Sequence, residues 1–224
     1  MTTRCDPDRY HRRSIRLSGY DYTQPGAYFV TTCTHRQEPL FGAVVDGEMV
    51  LNKYGQIVDE EWCNTAKLRP YVKLDVHVVM PNHFHGILWI EHDDTGGRGM
   101  ARHAPTMRHA PTREFGKPVA GSLPTIVRAF KSAVTKQVNQ IRRTPGIPVW
   151  QRNYWEHVVR TERALDAIRR YIADNPARWS LDRYNPAAAD RDPRVADLWR
   201  LLREDAATAG AQRAAPLRLP PKEE

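Results

Sequence analysis

Two histidines separated by one apolar residue open an apolar run in the middle of the chain. His83, Phe84 and His85 begin a segment that continues to Ile90 and has the composition of a buried strand. Because successive side chains on a strand point to opposite faces, both imidazoles project to the same side. Two imidazoles can hold one metal ion and leave coordination positions open, which suits a catalytic ion better than a structural one. The alternative is a histidine pair that only makes hydrogen bonds.

A tyrosine and an asparagine are spaced so that one helix would present both from the same face. The segment from Thr161 to Asn175 has the apolar spacing of an amphipathic helix, and Pro176 follows its end. Tyr171 and Asn175 are four residues apart, so both side chains could be presented to a metal ion. A free tyrosine has a pKa of about 10 and is a poor nucleophile unless a cation favours its phenolate. Without such a neighbour, Tyr171 would be an ordinary half-buried aromatic residue.

The elements that must position these side chains alternate along the chain. In this order we expect a strand (28–35), a hairpin (40–51), a helix (52–68), two strands (74–80 and 83–90), a helix (122–142), a strand (149–160) and a helix (162–175). The sequence therefore predicts an α+β fold, a ferredoxin-like antiparallel sheet with helices packed on it, plus the C-terminal helix that carries Tyr171. Ile87 and Trp89 share a strand face with the histidine pair, and we expect this last helix to cover them.

The basic residues are concentrated in one part of the chain. The net charge is +8, and between Arg98 and Arg160 there are twelve Lys or Arg residues but only two acidic ones. Such a concentration favours phosphate backbones, although a solvated basic face is the alternative. The candidate DNA-binding residues are Arg12 and Arg13 near the start, Arg128 and Lys131 on one face of the predicted helix 122–142, and Arg152 and Arg160 beside the strand 149–160.

Four further side chains have weaker indications. Tyr154 and Trp155 could stack on unpaired bases, or could belong to an aromatic core strand. His157 is expected to make a structural hydrogen bond. His77 precedes the turn before His83, so on a shared face it would be a hydrogen-bonding partner of the metal ligands. On strand 74–80, alternation places Leu74, Val76, Val78 and Met80 on one face.

The chain is expected to contain one main domain, residues 10–180, with a flexible basic insertion at 93–118 that is rich in Pro and Gly. Residues 181–224 are expected to form a partly disordered tail with one short helix at 194–204 and no assigned function. No apolar run reaches the roughly 18 residues needed to cross a bilayer, and the start lacks the apolar stretch of a signal peptide, so a cytoplasmic location is expected. The three cysteines show neither a disulfide framework nor a thiolate zinc motif.

Three segments together resemble the REP-associated tyrosine transposases, which are single-tyrosine members of the HUH nuclease superfamily. The segments are 78–85, 149–160 and 171–176. The resemblance implies that His83 and His85 are metal ligands, that Tyr171 is the catalytic nucleophile, and that Asn175 completes the metal site. It also implies Mg²⁺ or Mn²⁺ as the cofactor. Because imidazole suits softer metals than Mg²⁺, we expect Mn²⁺ to work at least as well.

The implied activity is cleavage and rejoining of single-stranded, hairpin-forming DNA through a 5′-phosphotyrosine intermediate. The implied partner is therefore DNA with a short palindrome, and the protein would act as a monomer or homodimer. An alternative is a non-catalytic protein of the same fold that binds DNA hairpins without cutting them. The presence of all four residues, His83, His85, Tyr171 and Asn175, argues against this alternative, because a protein that only binds DNA has no chemical need for them.

Overall fold

The computed structural model describes residues 20–91, 119–207 and 217. Its strands are β1 (Gly26–Cys33), β2 (Gly42–Val45), β3 (Glu48–Leu51), β4 (Val72–Val79), β5 (His83–Ile90) and β6 (Trp155–Val158). Its α-helices are α1 (Lys53–Lys67), α2 (Leu123–Arg142), α3 (Glu162–Asp174) and α4 (Pro193–Ala207). Short 3₁₀ turns lie at His35–Gln37 and Pro176–Leu181.

A four-stranded antiparallel sheet with the order β4-β5-β1-β6 forms the centre of the fold. The strands β2 and β3 form a separate hairpin, paired across the turn at Asp46 and Gly47. Both turn residues have positive φ, which explains the Asp-Gly pair at this position. Without this hairpin, the order along the chain is β1, α1, β4, β5, α2 and β6. The predicted α+β fold with helices packed on an antiparallel sheet is confirmed.

Helices cover both faces of this sheet, so the described chain has three layers. On one face, Val30 and Leu88 of the sheet pack in a core with α1 and α2. On the other face, Phe29, Ile87 and Trp89 pack in a second core with the apolar sides of α3 and α4. This second core contains Leu165, Ile168 and Ile172 of α3. The expectation that this helix covers Ile87 and Trp89 is therefore confirmed.

The strand β4 departs from the predicted alternation. Its pairing with β5 shifts register between Leu74 and His77, as in a β-bulge. Leu74 packs in the core with α1 and α2, whereas Val78 packs in the core with α3 and α4, and Val76 is exposed. The prediction that these residues share one face with Met80 was wrong, because the extra residue in a bulge reverses the alternation that follows it.

The strand predicted at 149–160 is shorter in the structure. Only Trp155–Val158 pair with β1, and Trp150 makes an isolated bridge to Thr34. Between them the chain runs as a loop around the Lys131 ammonium group, which donates to the carbonyl oxygen of Gln151 at 2.7 Å. The carbonyl oxygens of Arg152 and Asn153 also accept from this ammonium group, which provides hydrogen-bond partners for the loop.

The residues after position 180 pack on the domain. Helix α4, predicted at 194–204, spans Pro193–Ala207 and contributes Leu198 and Leu202 to the core with α3. The backbone of Leu217 donates to the carbonyl oxygen of Val159 and accepts from the amide of Ala27. The packed part of the described chain thus extends beyond the predicted domain end at residue 180.

Some predictions concern residues outside the described ranges. Arg12 and Arg13 lie there, as does the whole of the predicted insertion at 93–118. Within the described ranges, none of the helices is both long enough and apolar enough to span a bilayer.

Candidate active site

The two histidines of β5 lie side by side where the strand begins. His85 pairs with Thr31 and His83 pairs with Cys33 of β1. On the other side of β5, His85 pairs with Val78 of β4, so both neighbouring strands fix β5 here. The two imidazole centroids are 4.6 Å apart, and both side chains are almost completely buried. Their shared face is the one covered by α3, as alternation along the strand predicts.

One ring nitrogen of His83 has a hydrogen-bond partner, and the other has none among the described residues. Its Nδ1 lies 2.9 Å from Oδ1 of Asn82, whose Nδ2 donates to the carbonyl oxygens of Gln37 and Tyr184. Because Asn82 Oδ1 can only accept, we assign the proton of neutral His83 to Nδ1. Its Nε2 then carries a lone pair, and this buried atom has no hydrogen-bond partner among the described residues.

His85 lies between a strand residue and the helix. Its Nδ1 is 2.7 Å from Oγ1 of Thr31, and its Nε2 is 3.2 Å from the hydroxyl of Tyr171. Burial, followed by the charge of Arg183, lowers the pKa of His85 to about 3. Burial and then the neighbouring His85 lower the pKa of His83 well below its usual value. Both imidazoles are therefore neutral near pH 7, which is the form that binds metal ions.

Helix α3 brings Tyr171 and Asn175 to the histidine pair. The helix begins at a side-chain cap, in which Oγ1 of Thr161 accepts from the Ala164 amide at 3.2 Å. Its buried residue Ile168 anchors the helix on the sheet, and the Tyr171 ring meets Phe29 edge-on. Asn175 is the residue that ends the helix, and it is buried.

The asparagine presents its carbonyl oxygen to the site. Asn175 Nδ2 donates to Oδ2 of Asp182 at 3.3 Å, while Oδ1 is buried without a hydrogen-bond partner in the described part of the chain. Two acceptor atoms without partners, this oxygen and His83 Nε2, thus occur in one buried site. Buried polar atoms normally have partners, so such a pair needs an explanation.

The tyrosine is held as a neutral phenol. Burial, followed by the charge of Asp182, raises the pKa of Tyr171 well above its usual value. The protonated hydroxyl can donate to Nε2 of His85, in agreement with the 3.2 Å separation. A nearby cation is required before this hydroxyl can become a nucleophile.

Two residues from the segment after α3 lie against the histidine pair, and the sequence analysis did not identify them. Asp182 is buried, and its Oδ2 lies 4.0 Å from Nε2 of His83. Burial raises the pKa of this carboxyl, although hydrogen bonds from the Tyr184 amide and Asn175 oppose that shift. The Tyr184 ring lies 4.7 Å from the His83 ring. One aspartate and one tyrosine in an Ala- and Pro-rich segment have no spacing pattern, so only the packing of the segment reveals them.

The donors in this site suit a divalent metal ion. The imidazole nitrogens, the Asn175 oxygen and the Asp182 carboxylate provide a mixed set of nitrogen and oxygen ligands. The carboxylate is a hard ligand of the kind that Mg²⁺ and Mn²⁺ prefer, which offsets the softer character of the two imidazoles. A bound ion would also provide a partner for His83 Nε2 and Asn175 Oδ1. His83, His85, Asn175 and Asp182 therefore fit such an ion.

The predicted DNA-binding residues on α2 are not brought to Tyr171. Arg128 and Lys131 belong to α2, which covers the face of the sheet opposite α3. Burial lowers the pKa of Lys131 to about 8, and its ammonium group binds the carbonyl oxygen of Gln151. Arg152 follows in the same loop, and Arg160 donates to the carbonyl oxygen of Val158 at 2.8 Å. Whether these residues bind DNA stays a prediction.

A groove between α3 and α4 opens beside the site. It has a volume of about 330 Å³, and both Tyr171 and Asn175 line it. Its walls carry arginines and acidic residues. Three of the arginines form ion pairs, Arg178 with Asp192, Arg194 with Asp174, and Arg200 with Asp197. Arg163 and Arg170, both on α3 and exposed, form no ion pair with the described residues.

The weaker expectations have different outcomes. Trp155 packs edge-on against Phe29 and Trp199, which favours the core alternative over base stacking. His157 Nε2 lies 2.9 Å from Oδ2 of Asp205, so the structural hydrogen bond is confirmed.

The placement of His77 beside the metal ligands was wrong. The bulge in β4 turns His77 toward α1, where it meets Asp59 at 2.8 Å.

Comparisons with known proteins show a relative in another organism. An uncharacterized protein of Haemophilus influenzae is 38% identical over 182 residues, which cover 81% of this chain and 97% of that protein. No protein-family model matches the chain. Among solved structures, a REP-associated tyrosine transposase bound to a REP hairpin superposes with a TM-score of 0.45 at 19% identity, covering 73% of this chain and 74% of that one.

Proposed function

We propose that this chain, which belongs to the same family as the uncharacterized Haemophilus influenzae protein, cleaves and rejoins single-stranded, hairpin-forming DNA. The proposed enzyme is a single-tyrosine transposase of the HUH type, with Tyr171 as its nucleophile. The proposed metal ligands are His83, His85 and Asn175, with Asp182 added from the structure. Mg²⁺ or Mn²⁺ is the proposed cofactor.

One observation carries this proposal. The Tyr171 hydroxyl lies 3.2 Å from Nε2 of His85, in a site where His83 Nε2 and Asn175 Oδ1 are buried without partners among the described residues. The nucleophile and the metal donors come from β5 and α3, which are far apart in sequence. A site built only for stability would pair these buried acceptors within the protein.

The chemistry follows from the roles of these groups. A bound divalent ion would polarise the scissile phosphate and favour the phenolate of the attacking tyrosine. The Tyr171 oxygen forms a bond to phosphorus, its proton passes to solvent, and the 3′ oxygen of the cleaved strand leaves. The products are a 5′-phosphotyrosine and a free 3′-hydroxyl. Attack by another 3′-hydroxyl on the phosphotyrosine releases Tyr171 and rejoins the DNA without a nucleotide cofactor.

The fold supports an approach of the single strand through the groove between α3 and α4. This groove opens at Tyr171 and Asn175, so it leads to the reacting atoms. Arg163 and Arg170 project from the exposed side of α3, where they can contact phosphates. The face of α2 lies on the other side of the sheet and is available for the hairpin stem.

The test is formation of a covalent adduct. The protein is incubated with single-stranded hairpin oligonucleotides and Mn²⁺, and the protein–DNA link is detected on a denaturing gel. We expect an adduct that Tyr171→Phe abolishes while binding of the oligonucleotide persists. An adduct formed by Tyr171→Phe would exclude Tyr171 as the nucleophile, and hairpin binding without any cleavage would favour the non-catalytic alternative.

Tyr184→Phe is the matched control. The Tyr184 ring also lies beside His83, but its hydroxyl is hydrogen-bonded to the Cys33 thiol. We expect Tyr184→Phe to keep forming the adduct. Loss of the adduct in both variants would show that the assay detects a general disturbance of the site rather than the nucleophile.

A further inference from the structure

We propose a second metal site, on the opposite face of the sheet, in which Asp59, Cys63 and His77 bind Zn²⁺. This site does not depend on the proposed DNA chemistry. Asp59 and Cys63 belong to α1 and His77 belongs to β4. The ligand atoms of these three residues all lie within 4.8 Å of one another.

Local structure explains why these three side chains meet. Asp59 and Cys63 are four residues apart, so they project from one face of α1. The bulge between Leu74 and His77 turns His77 toward that helix. His77 Nε2 then lies 2.8 Å from Asp59 Oδ1, and its ring packs near Trp62 and Phe84.

The chemical types of the three donor atoms determine which metal ion fits this site. A thiolate, an imidazole and a carboxylate together form a ligand set typical of Zn²⁺ and suited neither to Mg²⁺ nor to Ca²⁺. Tetrahedral zinc with bonds of about 2.0–2.3 Å requires ligand atoms roughly 3.3–3.8 Å apart. The 2.8 Å pair of Asp59 Oδ1 and His77 Nε2 must therefore open by roughly 0.5–1 Å, while a ligand pair near the 4.8 Å limit must approach by about 1 Å. The Asp59 side chain is 47% exposed, which leaves a fourth position open to water.

The position of the cluster gives the ion a structural role. Strand β4 lies at an edge of the sheet and has a neighbouring strand on one side only. An ion held by α1 and β4 would link this edge to the helix layer. Binding only to the folded chain would raise the melting temperature by about 5–10 °C at a Zn²⁺ concentration roughly 100-fold above the dissociation constant.

Co²⁺ is the spectroscopic probe, because thiolate ligation gives a charge-transfer band in the near ultraviolet. The test uses the tag-free, metal-stripped full chain in which Cys5 and Cys33 are replaced by Ser, so that Cys63 is the remaining thiol. We expect the band to appear on titration. We also expect it to persist in a His83→Ala, His85→Ala variant, which lacks the histidines of the proposed catalytic site.

The ligand variants decide the outcome. Cys63→Ser should abolish the band. In the His83→Ala, His85→Ala background, where the proposed catalytic site lacks its histidines, His77→Gln should weaken Zn²⁺ binding at least tenfold and remove the rise in melting temperature. If His77→Gln fails to fold, Asp59→Asn is the second variant, because asparagine has the same shape as the aspartate that it replaces. Co²⁺ binding without a thiolate band, or Zn²⁺ affinity unchanged in His77→Gln and Asp59→Asn, would overturn the proposal and leave a simple ion pair.

Discussion

At the scale of single residues, the candidate active site depends on histidines that are neutral before any ion binds. Burial lowers the pKa of both His83 and His85, so no proton must be displaced from them at neutral pH. The hydrogen bond to Asn82 orients His83 so that Nε2 is the free donor. Such a hydrogen bond to the other ring nitrogen is how proteins fix the orientation of a metal-binding imidazole.

Asp182 is the ligand that the structure adds to the proposed metal site, and it provides a sharp test of that proposal. Asp182→Asn keeps the shape and can still accept from Asn175, but it removes the negative charge near His83. We expect the affinity for Mn²⁺ to fall by about 10- to 100-fold, measured by calorimetry in the absence of DNA.

An exposed aspartate provides the control for this experiment. Asp197→Asn on α4 removes the same charge from a side chain that is 66% exposed and pairs with Arg200. Its Mn²⁺ affinity should match that of the unmodified protein. Equal losses in both variants would mean that only the net charge of the chain matters, and an unchanged affinity in Asp182→Asn would exclude the carboxylate as a ligand.

At the scale of elements, one buried carboxylate of helix α4 adds polar connections to the apolar packing of this helix. Asp205 accepts from Nε2 of His157 at 2.9 Å, from Oγ1 of Thr161 at 2.7 Å and from the Arg160 amide at 3.1 Å. Thr161 also caps α3, so this carboxylate connects α4 to the helix that carries Tyr171. Burial tends to raise the pKa of Asp205, but these partners outweigh it and hold that pKa below its usual value.

Removal of this carboxylate should reduce stability in a pH-dependent way. Because its pKa is lower in the folded state, Asp205 stabilises the fold above its unfolded pKa of about 3.9, and this contribution disappears as the pH falls through the folded pKa. We expect Asp205→Ala to lower the free energy of unfolding by about 1–3 kcal/mol at pH 7. The difference from the unmodified protein should decrease below about pH 4, as measured by urea unfolding.

The control for Asp205 comes from the same helix. Asp197→Ala removes an exposed carboxylate and should change the unfolding free energy by less than about 0.5 kcal/mol. A destabilisation by Asp205→Ala that persists unchanged down to pH 3 would show that lost packing, rather than the charged hydrogen bonds, is responsible.

The elements also show what the sequence could and could not predict. The alternation of side-chain directions along β5 and the helical spacing of Leu165, Ile168 and Ile172 predicted which faces meet, because strands and helices impose those periods. The bulge in β4 could not be predicted, since one extra residue reverses the faces without a sequence signal. That single residue moved His77 away from the predicted site and toward Asp59.

The segment after α3 escaped prediction for a related reason. A short 3₁₀ turn returns the chain to the histidine pair, and its geometry depends on packing rather than on periodicity. Asp182 therefore appeared as one of several acidic residues in the predicted tail. The spacing within each pair predicted that His83 and His85 share a strand face and that Tyr171 and Asn175 share a helix face. The expected cover of Ile87 and Trp89 by this helix placed the two pairs near each other.

At the scale of the whole molecule, basic residues lie on both sides of the central sheet. Arg163 and Arg170 line the groove that leads to Tyr171, whereas Arg128 and Lys136 are exposed on α2 across the sheet. The net charge of +8 alone does not tell which side receives the single strand. The position of Tyr171 favours the groove, since a strand that is cleaved there must pass its phosphate beside that residue.

Two double variants, each lacking two positive charges on one side of the sheet, can show which side binds the single strand. In the groove variant, Arg163→Ala with Arg170→Ala, we expect weaker binding of an unstructured single-stranded oligonucleotide. The slope of log affinity against log salt should fall in magnitude by about 1.4, because each lost phosphate contact on a single strand removes roughly 0.7. The matched variant, Arg128→Ala with Lys136→Ala, removes the same charge from α2 and should leave this slope nearly unchanged. Fluorescence anisotropy at several salt concentrations measures the slope for each double variant. A larger decrease of this slope in the α2 variant than in the groove variant would place the single strand on the opposite side of the sheet from the proposed nucleophile.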